Sequence, residues 1–105
     1  MAVIEIKKNG ENKKVPVPET ELLVLQALSS FEKATVQKIK EKLAESNKEI
    51  SEASLYSLLN RLEQRGLVKY KFEKVAPELV SITRKFYRKN FDEMTIIFSE
   101  TQSAP

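Results

Sequence analysis

The stretch Ser51–Val68, SEASLYSLLNRLEQRGLV, decides the reading of this chain. Ser51 is a hydroxyl residue just ahead of an apolar periodicity, the ordinary beginning of a helix. Leu55, Leu58, Leu59 and Leu62 recur at the three- and four-residue spacing that puts them on one helix face. Ala53, Ser57, Asn60, Arg61 and Gln64 collect on the opposite face. Gly66 suits the left-handed position that stops a helix. Leu67–Glu73 then alternates as a strand, with Val68, Tyr70 and Phe72 on one side and Lys69 and Lys71 on the other. The solvent face of the helix carries hydroxyls, amides and arginines in place of the usual Glu/Lys mixture. Small domains use such a helix, followed by a basic strand, to place side chains in the major groove of DNA.

Working towards the N-terminus, Thr35 predicts the cap of a second helix through about Glu45, with Val36, Ile39 and Leu43 as its apolar stripe. Asn47–Ile50 makes the intervening turn. Before it, Glu19-Thr20-Glu21 supplies acids to a helix start, and Leu22–Leu28 leaves little polar surface, so this first helix is expected to be the buried spine. Val3–Lys8 alternates, Asn9-Gly10 signals a turn, and Lys14–Val17 is extended, which predicts a hairpin or an extended arm. Pro16 and Pro18 confine its second half to an edge or a linker.

Beyond the central strand, Lys74–Glu78 reads as a loop containing Pro77. A returning strand falls within Leu79–Arg88, as LVSIT, as RKFYR, or as one long irregular strand. Phe91–Phe98 is apolar enough for a short helix, and Thr101–Pro105 is expected to be disordered. Helix, helix, helix, strand, basic loop, strand is the winged helix-turn-helix order. The expected fold is therefore α+β: a three-helix core with a two-stranded β wing, an N-terminal hairpin or arm, and a short C-terminal helix. Its expected parts are residues 1–18, the winged-helix domain 19–90, and the helix and tail 91–105.

Composition narrows the chemistry. The 105 residues suit one domain with a modest core. There is no cysteine and no histidine, which excludes thiol nucleophiles, disulfides, zinc-thiolate sites, a histidine base and histidine metal ligands. Gly10 and Gly66 are the only glycines, so there is no glycine-rich phosphate loop, and no carboxylates are spaced as an acid/base pair. Nothing marks an enzyme, a cofactor site or a metal site. Without a long apolar run or a signal-peptide pattern, a cytoplasmic location and no membrane partner are the expectation. The net charge is +3, but residues 31–90 carry +6 while 1–30 are neutral and 91–105 carry −3. A basic middle fits an anionic polymer as partner, though lysines also simply solubilise small domains.

These residues resemble the PadR-like family of winged-helix transcription regulators. ELLVLQAL at Glu21–Leu28 resembles the family's opening helix. Ser51, Ser54, Leu55, Tyr56, Leu59, Arg61, Leu62, Glu63, Gly66, Leu67 and Val68 fall in step with its recognition helix, and Arg84-Lys85-Phe86-Tyr87-Arg88 resembles the strand returning from its wing. Two departures stand out. Ala34-Thr35-Val36-Gln37 replaces a His-Gly-Tyr-Glu-like segment, and 15 residues follow Asn90 where the family continues into long dimer-forming helices.

The resemblance implies a regulator that binds double-stranded DNA. On that reading Ser54, Ser57 and Asn60 face base edges, and Arg61 and Gln64 reach bases or phosphate. Tyr56 lies on the shoulder of the leucine stripe. The family makes it a DNA contact, whereas its angle equally suits packing with the hydroxyl at the rim. Lys69, Lys71, Lys74, Arg84, Lys85, Arg88 and Lys89 would supply wing and flank contacts to phosphates, and Thr35 and Lys38 would hold the backbone. Phe91, Met94, Ile96, Ile97 and Phe98 are either a cap on the core or an intermolecular contact. A homodimer built from this tail, with or without the N-terminal arm, is the expectation. The competing expectation is a winged-helix module that uses the same face to bind protein within a larger assembly.

Overall fold

The computed structural model describes residues 1–75 and 82–99. Strands β1 (Ala2–Lys8) and β2 (Glu11–Val17) precede helices α1 (Glu19–Ser29), α2 (Val36–Ala44) and α3 (Glu52–Gln64). Strands β3 (Val68–Lys74), β4 (Thr83–Lys89) and β5 (Glu93–Phe98) follow. The local chemistry accounts for the boundaries. Thr35 Oγ1 accepts from the Lys38 amide at 3.2 Å and Ser51 Oγ accepts from the Ser54 amide at 3.2 Å, each satisfying an otherwise orphaned N–H of a first helical turn. At the end of α3, Gly66 adopts φ +78°, and the Leu67 and Gly66 amides donate to the Leu62 and Glu63 carbonyls at 2.9 and 3.0 Å. That double bond pattern closes the helix and turns the chain directly into β3.

The three helices and the β3–β4 wing share a core of leucines from every helix, joined by Ile39, Val68 and Tyr87. Leu55, Leu59 and Leu62 are fully buried, so the stripe read from sequence is the inner face of α3. Ala34 forms a single antiparallel bridge with Tyr87, which ties the segment before α2 to the wing.

The N-terminal segment is a hairpin in register from Ala2 opposite Val17 to Lys8 opposite Glu11, turning at Asn9-Gly10, both at positive φ. Ala2, Ile4, Ile6, Val15 and Val17 face the core, which makes this element part of the fold and not a free arm.

The C-terminal expectation fails. Residues 93–98 form a strand and not a short helix, and this strand pairs with the open edge of β1 to give the sheet order β2-β1-β5. Thr95, Ile96 and Ile97 are β-branched and lose rotamer freedom in a helix, and β1 offers unpaired backbone groups alongside. Asp92 secures the approach: its amide donates to the Lys7 carbonyl at 2.7 Å, and its carboxylate accepts from the Asn9 amide at 3.1 Å. Phe91 is buried and Met94 and Ile96 half-buried against the core, while Ile97 and Phe98 remain exposed. Of the three readings of the returning strand, RKFYR is the one that lies within β4. Residues 79–81, most of the expected 74–78 loop and the 101–105 tail lie outside the described residues.

Candidate nucleic-acid interface

The wing register separates its side chains into two groups with different tasks. Tyr70 opposite Tyr87, Phe72 opposite Lys85 and Lys74 opposite Thr83 share one face. That face turns towards α3, because Tyr70, Lys85 and Tyr87 line a cleft of about 350 Å³ together with Tyr56, Ser57, Asn60 and Glu63. Lys69 opposite Arg88, Lys71 opposite Phe86 and Glu73 opposite Arg84 take the alternate positions, from which Arg84, near the end of the wing, still reaches the cleft by the starts of α2 and α3.

Lys85 sits over the aromatic group, its Nζ 4.0 Å from the Tyr70 ring centroid and 5.0 Å from that of Tyr87. Its pKa is raised chiefly by the hydrogen bond to Tyr87; burial opposes this, and the electrostatics of Tyr87, Tyr70 and Tyr56 each add a smaller upward contribution. It is therefore a fixed cation beside α3.

A second cleft, of about 370 Å³, lies between the starts of α2 and α3 and the wing. Thr35, Gln37, Glu52, Tyr56, Arg84 and Lys85 line it. A third, of about 550 Å³, runs along the other flank of α3 past Thr20, Ser51, Ser54, Ser57 and Arg61. Tyr56, Ser57, Asn60 and Arg61 thus form the crest of an exposed ridge with hollows on both sides. Gln64 is exposed one turn beyond Asn60. Tyr56 is 49% exposed, so it does not pack in the core.

Not every residue singled out from sequence is equally available. Arg88 bonds the Glu73 carboxylate at 2.5 Å, and Lys33 bonds the other oxygen of the same group. Glu73 is held below its ordinary pKa, chiefly by the Lys33 hydrogen bond, with Lys33, Arg88 and Lys71 adding Coulombic attraction and desolvation opposing. Arg88 is therefore occupied within the wing. Thr35 and Ser54 share their hydroxyls with helix caps, since Ser51 donates to Ser54 Oγ at 3.0 Å. Lys38 lies 5.9 Å above the Phe31 ring. Lys69 and Lys71 point from the far face of the wing.

Sequence reasoning missed the tyrosine pair Tyr70 and Tyr87 as a cradle for Lys85. The alternation of aromatics and cations in both strands was its only signal, and the register was needed to bring the strands together. It also missed Glu21, a first-turn acid that is 2% exposed and bonded by Arg65 at 3.3 Å. Arg65 donates in addition to the Pro16 carbonyl, joining α3, α1 and β2. Among the described residues no group of three or more acids converges as a metal would require, and no helix is long and apolar enough to cross a membrane.

Three helices closed by an antiparallel wing, with an exposed polar ridge beside it, define an α+β winged-helix protein. The model of the transcriptional regulator PadR-like family matches residues 24–90, and the chain belongs to that family. It is similar to a PadR-family transcriptional regulator from Eggerthella lenta at 30% identity, covering 67% of this chain and 60% of that one with a TM-score of 0.53. It is also similar to a PadR-like transcription factor from Bacteroides fragilis at 28% identity, covering 67% and 66% with a TM-score of 0.52. The chain thus spans less than two thirds of the length of either structure. The ferric uptake regulator of Vibrio cholerae shares the fold, at 15% identity over 83% of this chain and 72% of that one with a TM-score of 0.59. No curated protein matched the chain.

Proposed function

We propose that this chain is a sequence-specific regulator that binds double-stranded DNA with α3 in the major groove and the wing on phosphates. The observation that carries the proposal is the ridge of Ser57, Asn60 and Arg61, flanked by hollows and standing beside the fixed cation Lys85. An exposed α-helix, about 10–12 Å across with its side chains, fits a major groove about 12 Å wide. Asparagine can pair bidentately with adenine there, and arginine with guanine. Lys85, Lys74 and Arg84 lie along the wing, where phosphates of the same groove would pass.

Selection of bound fragments from random duplex DNA, followed by titration of the winning site, tests the proposal. Asn60→Ala and Arg61→Ala should abolish discrimination while leaving the circular dichroism unchanged. Retention on duplex DNA that salt barely alters would refute it. The second reading, a module that binds protein through this face, draws on the exposure of Tyr56, Tyr70 and Phe72. A stoichiometric protein partner recovered by a chain that binds no duplex would favour it.

A further inference from the structure

The sheet β2-β1-β5 ends in two edges of opposite character. The β2 edge is closed to pairing. Pro16 has no N–H to offer, and its carbonyl already accepts from Arg65. Lys13 and Lys14 would oppose like charges in a symmetric pairing through that strand. Among the described residues the β5 edge has neither a proline nor a lysine. From Met94 to Phe98 it carries no charge and no proline, and three of those five residues are β-branched. An unprotected strand edge is a row of backbone donors and acceptors suited to another strand.

Met94 and Ile96 face the core but are only partly covered by it. The register with β1 runs from Ile4 opposite Ile96 to Val3 opposite Phe98, so Ile97 is left without a partner and bulges. Ile97 is 49% and Phe98 50% exposed. The bulge is confined to that end, and Glu93–Ile96 stays in regular register.

We propose that the occupant of the β5 edge is the β5 strand of a second copy of this chain, antiparallel about a two-fold axis normal to the sheet. Such an axis keeps inner faces on the same side, so Met94 and Ile96 of both copies would meet beneath one six-stranded sheet. It also sets the two Glu93 side chains at opposite ends of the seam, whereas parallel pairing would place them together. The two α3 ridges are then related by the same axis, as reading two half-sites requires. The oligomer is measured without DNA, so its failure would leave the DNA reading untouched, and the converse.

The natural absence of cysteine makes single-cysteine probes unambiguous. Thr95 is exposed near the centre of the proposed seam, and Lys14 is exposed on the opposite edge. Thr95→Cys should give a covalent dimer with a short bismaleimide, and Lys14→Cys should not. In sedimentation velocity across the micromolar range the unmodified chain should dimerise. Thr95→Lys should weaken the dimer about tenfold or more, and so should Ile97→Glu, which at the unpaired bulge is the variant least able to disturb folding and places a like charge near Glu93 of the other copy. A strictly monomeric chain, crosslinking through Lys14→Cys alone, or an unweakened dimer in a folded Ile97→Glu variant would each overturn the proposal.

Discussion

Replacing Lys85 and Arg88 separately by glutamine tests how the tertiary structure sorts the basic residues of the wing. Both belong to one basic strand and look equivalent by sequence. In the fold, Arg88 is held against the Glu73 carboxylate, whereas Lys85 is held over Tyr70 and Tyr87 on the face towards α3. Arg61, Arg84 and Lys85 line the clefts beside the ridge, and these three, with Lys38 and Lys74, are proposed phosphate contacts that hold no ion pair among the described residues. If each displaces one condensed counterion, log K should fall with log salt with a slope of about −4.5 per protomer, since each phosphate contact contributes about −0.9. Between about 50 and 200 mM salt that is a loss of roughly 500-fold. Lys85→Gln should flatten the slope by about 0.9, while Arg88→Gln should leave it nearly unchanged. Fluorescence anisotropy on the selected duplex at several salt concentrations measures both. Equal flattening by the two variants, or a wild-type slope shallower than about −2, would refute this assignment of the wing.

Three further outcomes are expected. At 3.3 Å the Arg65–Glu21 pair is worth about 5 kcal/mol at an effective dielectric of 20, reduced by solvent at the partly exposed guanidinium to about 2 kcal/mol. Urea unfolding should show that loss in Arg65→Met and recovery of at least half of it when Glu21→Leu is added; no recovery would mean that the pairing is not the cause. Gly66→Ala meets no neighbouring atom within 4 Å but keeps a φ of +78°, so thermal unfolding should show a cost of about 1 kcal/mol from backbone strain alone. Glu73 has a lowered folded-state pKa, so its stabilising contribution is complete above its ordinary value of 4.5 and fades as the pH falls through the folded value. The stability gap between wild type and Glu73→Gln should accordingly shrink on acidification from neutral pH, and a gap that widens would contradict the Lys33–Glu73–Arg88 cluster.

Much of the fold is legible in single elements because the physics there is local. The caps at Thr35 and Ser51, the left-handed Gly66 and the Asn9-Gly10 turn each depend on a few neighbouring residues. The leucine stripe of α3 depends only on the helical period. The C-terminal strand was not legible: Phe91–Phe98 is short and apolar, and whether it coils or pairs depends on the free edge of β1, which is some 90 residues distant along the chain. The same holds for Glu21, whose place in a first turn gave no sign of a partner on α3.

For the candidate recognition surface, sequence by itself determined the polar ridge of α3 and the basic character of the strands behind it, because the periodicity of one helix sorts its own faces. Only the tertiary structure decided which wing cations stand beside that ridge. Cross-strand register gave Arg88 to Glu73 and set Lys85 on two tyrosines, and register is a property of paired segments. It likewise turned the tail from an expected helix into the open edge of a sheet, since backbone groups choose their partners by proximity in space.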